Sequence, residues 1–198
     1  GTSSAFIESF ERQGGEIVAQ QFYPSGENDF HPLITRIKDL SFDCLFLPGY
    51  YGEAGLLIRQ FREMGIDLPI LGCDSFDSPA IEEIAGAGTG GIYFSNHLDP
   101  ADEKIEAFAA AFVERFGYRP TAYATLGYEA ASVALRAIEW AGSGDPQAVL
   151  KALEDPDFFY EGITGPIAFD RAHNAVKQVW INTIDEGERY ALGEGRED

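Results

Sequence analysis

Two short segments carry residue types that could recognise a small molecule. Gly49-Tyr50-Tyr51-Gly52 follows the apolar run Asp43-Cys44-Leu45-Phe46-Leu47-Pro48. Cys73-Asp74-Ser75-Phe76-Asp77-Ser78-Pro79 follows Leu68-Pro69-Ile70-Leu71-Gly72. Tyr50 offers a flat apolar face and a hydroxyl, and covering ~50–100 Å² of an aliphatic ligand contributes roughly 1–2.5 kcal/mol. The same ring could instead pack on its own helix. Asp74 could accept hydrogen bonds from an ammonium group, or it could bond nearby backbone N–H groups. Asp77 reads as structural, because either Asp77 or Ser78 fits an N-cap with Pro79 in the first helical turn.

Other chemistry has little support. His31, His97 and His173 lie far apart and lack metal-ligand spacing. The nucleophile elbow and the P-loop are missing from the sequence. Gly86-Ala87-Gly88-Thr89-Gly90-Gly91 follows a helical pattern and precedes a strand pattern. A phosphate cradle needs the reverse order, so this segment reads as a connection. The expectation is binding without catalysis and without a metal or cofactor.

The positions of both loops are set by an alternation of elements. Ser4–Gln13, Phe30–Leu40 (capped by Asp29), Glu53–Met64 and Ser78–Ala85 carry helical periodicity. Between them, Glu16–Phe22, Asp43–Pro48, Leu68–Gly72 and Gly91–Ser95 read as strands. Such alternation with short links predicts an α/β fold with a parallel sheet and right-handed crossovers. In such a sheet, ligands bind at the carboxyl ends of the strands, where both loops fall. The rhythm breaks after Asp99-Pro100, which reads as a helix cap. Helical stripes then continue through Phe108, Phe112, Phe116, Tyr123, Leu126 and Val133 to a third helix opened by Asp145-Pro146. Strand character returns at Ile163–Phe169 and Val176–Ile184.

Composition narrows the partners. Of 198 residues, 14 are Lys or Arg and 33 are Asp or Glu, for a net charge of -19. Such a surface repels nucleic-acid phosphates and anionic lipid heads, so neither is an expected partner. No apolar run approaches the ~18 residues of a membrane span. The chain opens without Met and without a basic-then-apolar leader, so its start reads as a cut inside a longer protein. Cys44 and Cys73 would lie several residues out of step on neighbouring parallel strands, at ~3.3 Å per residue. Bridging needs Cα atoms within about 7 Å, so two free thiols are expected.

The run DFHPLITRIKDLSFDCLFLPGYYGEAGLLIRQFREMGIDLPILGCDSFDSPAIEEIAG resembles the leucine/isoleucine/valine-type periplasmic solute-binding proteins of ABC transporters. So do AFAAAFVERFGYRPTAYATLGYEAASVALRAIEWAGS and FYEGITGPIAFD, in the family's order and spacing. The resemblance implies a type I periplasmic-binding-protein fold, with two α/β lobes joined by three crossing strands and closing on a solute. Residues 1–96 and 176–198 would form the distal lobe. Residues 97–175 would be the largely helical remainder of the proximal lobe, whose N-terminal sheet is missing from this chain. Ser95–Leu98 and Ala168–Val176 would be hinge segments.

The same resemblance sets Tyr50 against the ligand, Asp74 on its ammonium group and Tyr123 in the side-chain pocket, with Tyr51, Ser75 and Phe76 as further ligand-binding candidates. Leucine-type members more often carry Glu at the position of Asp74. The implied partners are a small-molecule ligand (an amino acid or a related amine, amide or acid) and the membrane permease subunits of an ABC transporter. The implied location is periplasmic or extracytoplasmic. Two other outputs fit the same residues: a ligand-sensing domain of a receptor or regulator, and an enzyme on a flavodoxin-like sheet using Asp74.

Overall fold

The computed structural model describes residues 1–185 and 188–194. The remaining positions of the expected 176–198 segment lie outside the described residues. By Cα packing the chain divides into two compact units. One is Gly1–Phe94 with Thr183–Arg189; the other is Ser95–Asn182 with the chain from Tyr190.

In the first unit, α1 (Thr2–Arg12), α2 (His31–Ile37), α3 (Tyr51–Glu63) and α4 (Pro79–Ala85) alternate with β1 (Leu45–Phe46), β2 (Ile70–Gly72) and β3 (Ile92–Asn96). Strands β1, β2 and β3 pair in parallel, with Phe46 opposite Leu71 and Leu71 opposite Tyr93. Two later strands, β7 (Trp180–Asp185) and β8 (Glu188–Glu194), extend the sheet to the order β1-β2-β3-β7-β8.

Helix α3 serves two apolar clusters from one side chain to the next. Ala54 and Ile58 join Ile70, Phe76, Ile81, Ile92, Phe94 and Ile184, whereas Leu57 and Phe61 join Phe30, Ile34 and Ile37. Leu45 and Leu47 touch both clusters. Helices α3 and α4 approach closely at Gly55, where an added Cβ would lie 2.9 Å from Ile84. Arg62 holds the far ends of these helices. It donates to the carbonyls of Ile66 and Leu68 at 2.7 and 3.0 Å and to those of Gly88 and Gly90 at 3.3 and 2.9 Å. The glycine-rich segment therefore turns carbonyls toward a guanidinium, as a connection and not an anion cradle.

The structure differs from the sequence expectation at two strands. Glu16–Phe22 joins no described strand ladder, and Val18 and Phe22 are exposed. Alternation specifies a face, but a strand also needs a neighbouring edge to pair with. The strand expected over Asp43–Pro48 shortens to Leu45–Phe46, with Leu45 and Leu47 donating to Pro69 and Leu71 carbonyls at 2.9 and 2.8 Å. Phe6 of α1 stacks on Phe46 at 3.8 Å.

The second unit contains α5 (Glu103–Phe116), α6 (Ala122–Ala141), α7 (Pro146–Leu153) and an antiparallel sheet β4 (Tyr160–Gly162), β5 (Gly165–Phe169) and β6 (Ala175–Val176). The cap of α5 is Asp102, whose carboxylate accepts the Lys104 N–H at 2.7 Å, rather than the expected Asp99-Pro100. Asp99 instead accepts the Ala101 N–H and forms its own turn first. Asp145 caps α7 as expected, accepting from Gln147 and Ala148. The core is Val133, Ala137, Phe158 and Ile167.

Beneath it, buried Glu129 accepts from the Thr164 amide at 2.7 Å and from Lys177 Nζ at 2.9 Å. No helix among the described residues is long and apolar enough to cross a membrane.

Candidate functional site

The carboxyl ends of β1 and β2 bring the two loops into contact. Ser75 Oγ donates to the Gly49 carbonyl at 2.6 Å, so the residue before Tyr50 and the residue after Asp74 are directly linked. The link is possible because β1 and β2 are adjacent and in register. Tyr23 closes the back of the first loop, and a Cβ at Gly49 would collide with its hydroxyl. Burial, and then the charge of Glu53, push the Tyr23 phenol above its ordinary pKa.

Tyr50 is the extended residue ahead of α3, and its ring is 73% exposed. Tyr51 opens the helix and is also exposed. Asp74 opens a 3₁₀ turn, Asp74–Phe76, and is half-buried. Its backbone carbonyl accepts the Asp77 N–H at 3.0 Å. Among the described residues no hydrogen bond to its carboxylate is present, so both oxygens are available to an incoming donor. Its charge reaches the neighbouring Cys73. The thiol is pushed up first by burial and then by Asp74. Both cysteines are free.

Ser75 and Phe76 sit beneath this surface. Ser75 is buried with its hydroxyl committed to Gly49. Phe76 is 0% exposed, tilted against Phe94 at 6.3 Å, and covers Gly72 so closely that a Cβ there would strike its ring. These two side chains support the loop from below, while Tyr50, Tyr51 and Asp74 are its solvent-facing members. Ser78 is the cap of α4, accepting the Ala80 N–H at 3.4 Å. Asp77 instead faces Arg189 of β8, with Nε 3.0 Å from Oδ1. Sequence reasoning missed Arg189, since nothing in its local pattern points to a partner more than a hundred positions earlier. Tyr123 belongs to the second unit, in the first turn of α6, and is partly exposed. No cluster of three His, Cys, Asp or Glu able to hold a metal occurs among the described residues.

Two linked loops at the end of a parallel sheet thus carry an exposed aromatic residue, Tyr50, and a half-buried carboxylate, Asp74. That combination suits a small ligand with an apolar part and a cationic group. A family model described as periplasmic binding protein matches residues 2–189. Leu/Ile/Val-binding protein homolog 1 of Brucella abortus (strain 2308) is 32% identical over 145 residues, covering 73% of this chain and 39% of the relative. The leucine binding protein LivK from Thermotoga maritima superposes with a TM-score of 0.87 at 31% identity, covering 98% of this chain and 56% of that one. The branched-chain amino acid transporter substrate binding protein LivJ from Streptococcus pneumoniae, in complex with isoleucine, gives 0.79 at 31% identity with the same coverage. The chain thus spans about half the length of the proteins it resembles. With its parallel sheet flanked by helices, the chain belongs to the periplasmic binding protein family and has the type I fold of that family.

Proposed function

We propose that this chain is part of an extracytoplasmic solute-binding component of an ABC importer, which captures an aliphatic amino acid or a similar small polar solute without chemical change. Tyr50 covers the aliphatic part, Asp74 pairs with the ammonium group, and Tyr123 contributes to the wall around the side chain. The first unit corresponds to most of the distal lobe expected over 1–96 and 176–198, and the second to part of the proximal lobe. The proximal sheet comes from an N-terminal half outside this chain. Closure of the two lobes secures the solute by its differential affinity for the closed form, and membrane permease subunits then receive it.

The observation that carries this reading is the Ser75–Gly49 hydrogen bond. It ties together the loops that carry Tyr50 and Asp74 at adjoining strand ends, which supports their acting on one ligand. The names of the similar proteins favour branched-chain amino acids among possible solutes.

The test is a thermal-shift screen of the full-length protein against the twenty amino acids, simple amides and benzoates. L-leucine, L-isoleucine or L-valine should raise Tm by several degrees, and the recovered ligand should be chemically unchanged. Stabilisation by benzoates alone, or turnover of any amino acid, would refute the proposal.

A further inference from the structure

Resting on that reading, we infer that Arg189 is a positioning residue for the ligand-facing Asp74 turn. Its guanidinium, on β8, reaches two acids at once. Nη2 donates to Glu82 Oε2 at 2.7 Å, and Nε lies 3.0 Å from Asp77 Oδ1 as an ion pair, not an aligned hydrogen bond. All three side chains are mostly buried. The two acids belong to consecutive elements, Asp77 to the end of the 3₁₀ turn and Glu82 to α4. Asp77 closes the 3₁₀ turn by donating its N–H to the Asp74 carbonyl at 3.0 Å. Glu82 lies in the first turn of α4, directly after the Ser78 cap. One cation therefore joins the last strand of the sheet to the end of the turn that presents Asp74 and to the helix that follows it.

Charge gives this link its reason. Asp74, Asp77 and Glu82 are three carboxylates within nine consecutive positions, and Asp74 must stay unpaired to receive a ligand. Pairing the other two with Arg189 keeps them off the ligand's ammonium group. It also holds the turn that aims the third. Without Arg189, the mutual repulsion of Asp77 and Glu82 opens the turn, and Asp77 becomes a competing partner. Arg suits the role better than Lys, because its charge is spread over separate nitrogens that reach both acids at once, one by hydrogen bond and the other by ion pairing.

The test combines Arg189→Met, Arg189→Lys, Asp74→Asn and the Arg189→Met/Asp74→Asn double variant of the full-length protein. L-isoleucine binding is measured by calorimetry, and backbone amide exchange is followed over residues 74–77. Arg189→Met should weaken L-isoleucine at least fivefold and speed exchange of the Asp77 amide, and Arg189→Lys should restore part of both. Added to Asp74→Asn, Arg189→Met should cost less than a further twofold, since the carboxylate it aims is already gone. Additive losses in the double variant would mean that Arg189 serves general stability, which overturns the inference. Unchanged affinity in Arg189→Met, beside a tenfold loss in Asp74→Asn, overturns it too but leaves the amino-acid reading standing. Equal binding by wild type and Asp74→Asn overturns that reading, and the role of Arg189 with it. Should Arg189→Met fail to fold, Asp77→Asn cuts the same link from its other end and must show the same exchange signature.

Discussion

Asp74 and Tyr50 make separable contributions because one acts through charge and the other through apolar area. Asp74→Asn keeps the shape and removes the charge. A tenfold loss of amino-acid affinity, about 1.4 kcal/mol, is the minimum expected if an ammonium group rests there. Calorimetry showing less than a twofold change removes Asp74 from the site. Tyr50→Ala forfeits ring coverage worth roughly 1–2.5 kcal/mol and should weaken aliphatic ligands more than glycine. The neighbouring Cys73 provides a report that needs no ligand. Its thiol is held up mainly by burial and secondarily by the Asp74 charge. Asp74→Asn removes only the second cause, so the thiol falls toward its ordinary value and more thiolate exists at a given pH. In a Cys44→Ser background, alkylation of Cys73 near pH 8 should therefore be faster in Asp74→Asn than with Asp74 present. A slower rate would place the carboxylate away from the thiol.

The β4–β5 hairpin is anchored to α6 by charge placed inside the second unit. Glu129 is 2% exposed and Lys177 8%, and the same carboxylate receives both the amide and the hydroxyl of Thr164. Gly162 lies so near that a Cβ would collide with the carboxylate. Truncating Glu129 to Ala strands a buried ammonium and a buried N–H, a loss of about 3–5 kcal/mol. Replacing both members, as Glu129→Leu with Lys177→Met, should cost clearly less in denaturant unfolding. A double variant that loses as much as Glu129→Leu and Lys177→Met summed would show that the pair is not coupled. None of this could be read from the sequence, because Glu129 sits on a helix whose periodicity marks Tyr128 and Val133 no differently. The helices α3, α4 and α7 were legible, because apolar spacing and the caps Ser78 and Asp145 are local signals. So was the contact between the Tyr50 and Asp74 loops, which follows from two apolar runs ending as parallel neighbours. Glu16–Phe22 was misread, since pairing depends on an edge elsewhere in the chain. Arg189 escaped notice for the same reason: its partners come from the sheet order.

At the scale of the whole molecule, the second unit displays a run of rings along α5 and the start of α6. Phe112 packs on Phe116 at 4.4 Å and on Tyr118 at 5.5 Å, and Phe108 packs on Tyr128 at 5.2 Å. Phe116, Tyr118 and Tyr128 are nonetheless each more than half exposed. Exposed rings of this kind suit an interface. Under the proposed function its cover is the proximal sheet of the N-terminal half. The net charge of -19 keeps the isolated chain dispersed while leaving those rings wet. The isolated chain should therefore bind an apolar dye such as ANS, with fluorescence rising as salt shortens the Debye length from about 30 Å at 0.01 M to about 8 Å at 0.15 M, because the dye is anionic. Adding the N-terminal half in trans should displace the dye and give a one-to-one complex by light scattering. It should also raise L-isoleucine affinity above that of either half, since each half supplies only part of the contacts. Phe116→Ser with Tyr118→Ser should weaken that assembly without altering the Cys73 alkylation rate, which belongs to the first unit. Assembly indifferent to both substitutions would show that the rings meet something other than the missing sheet.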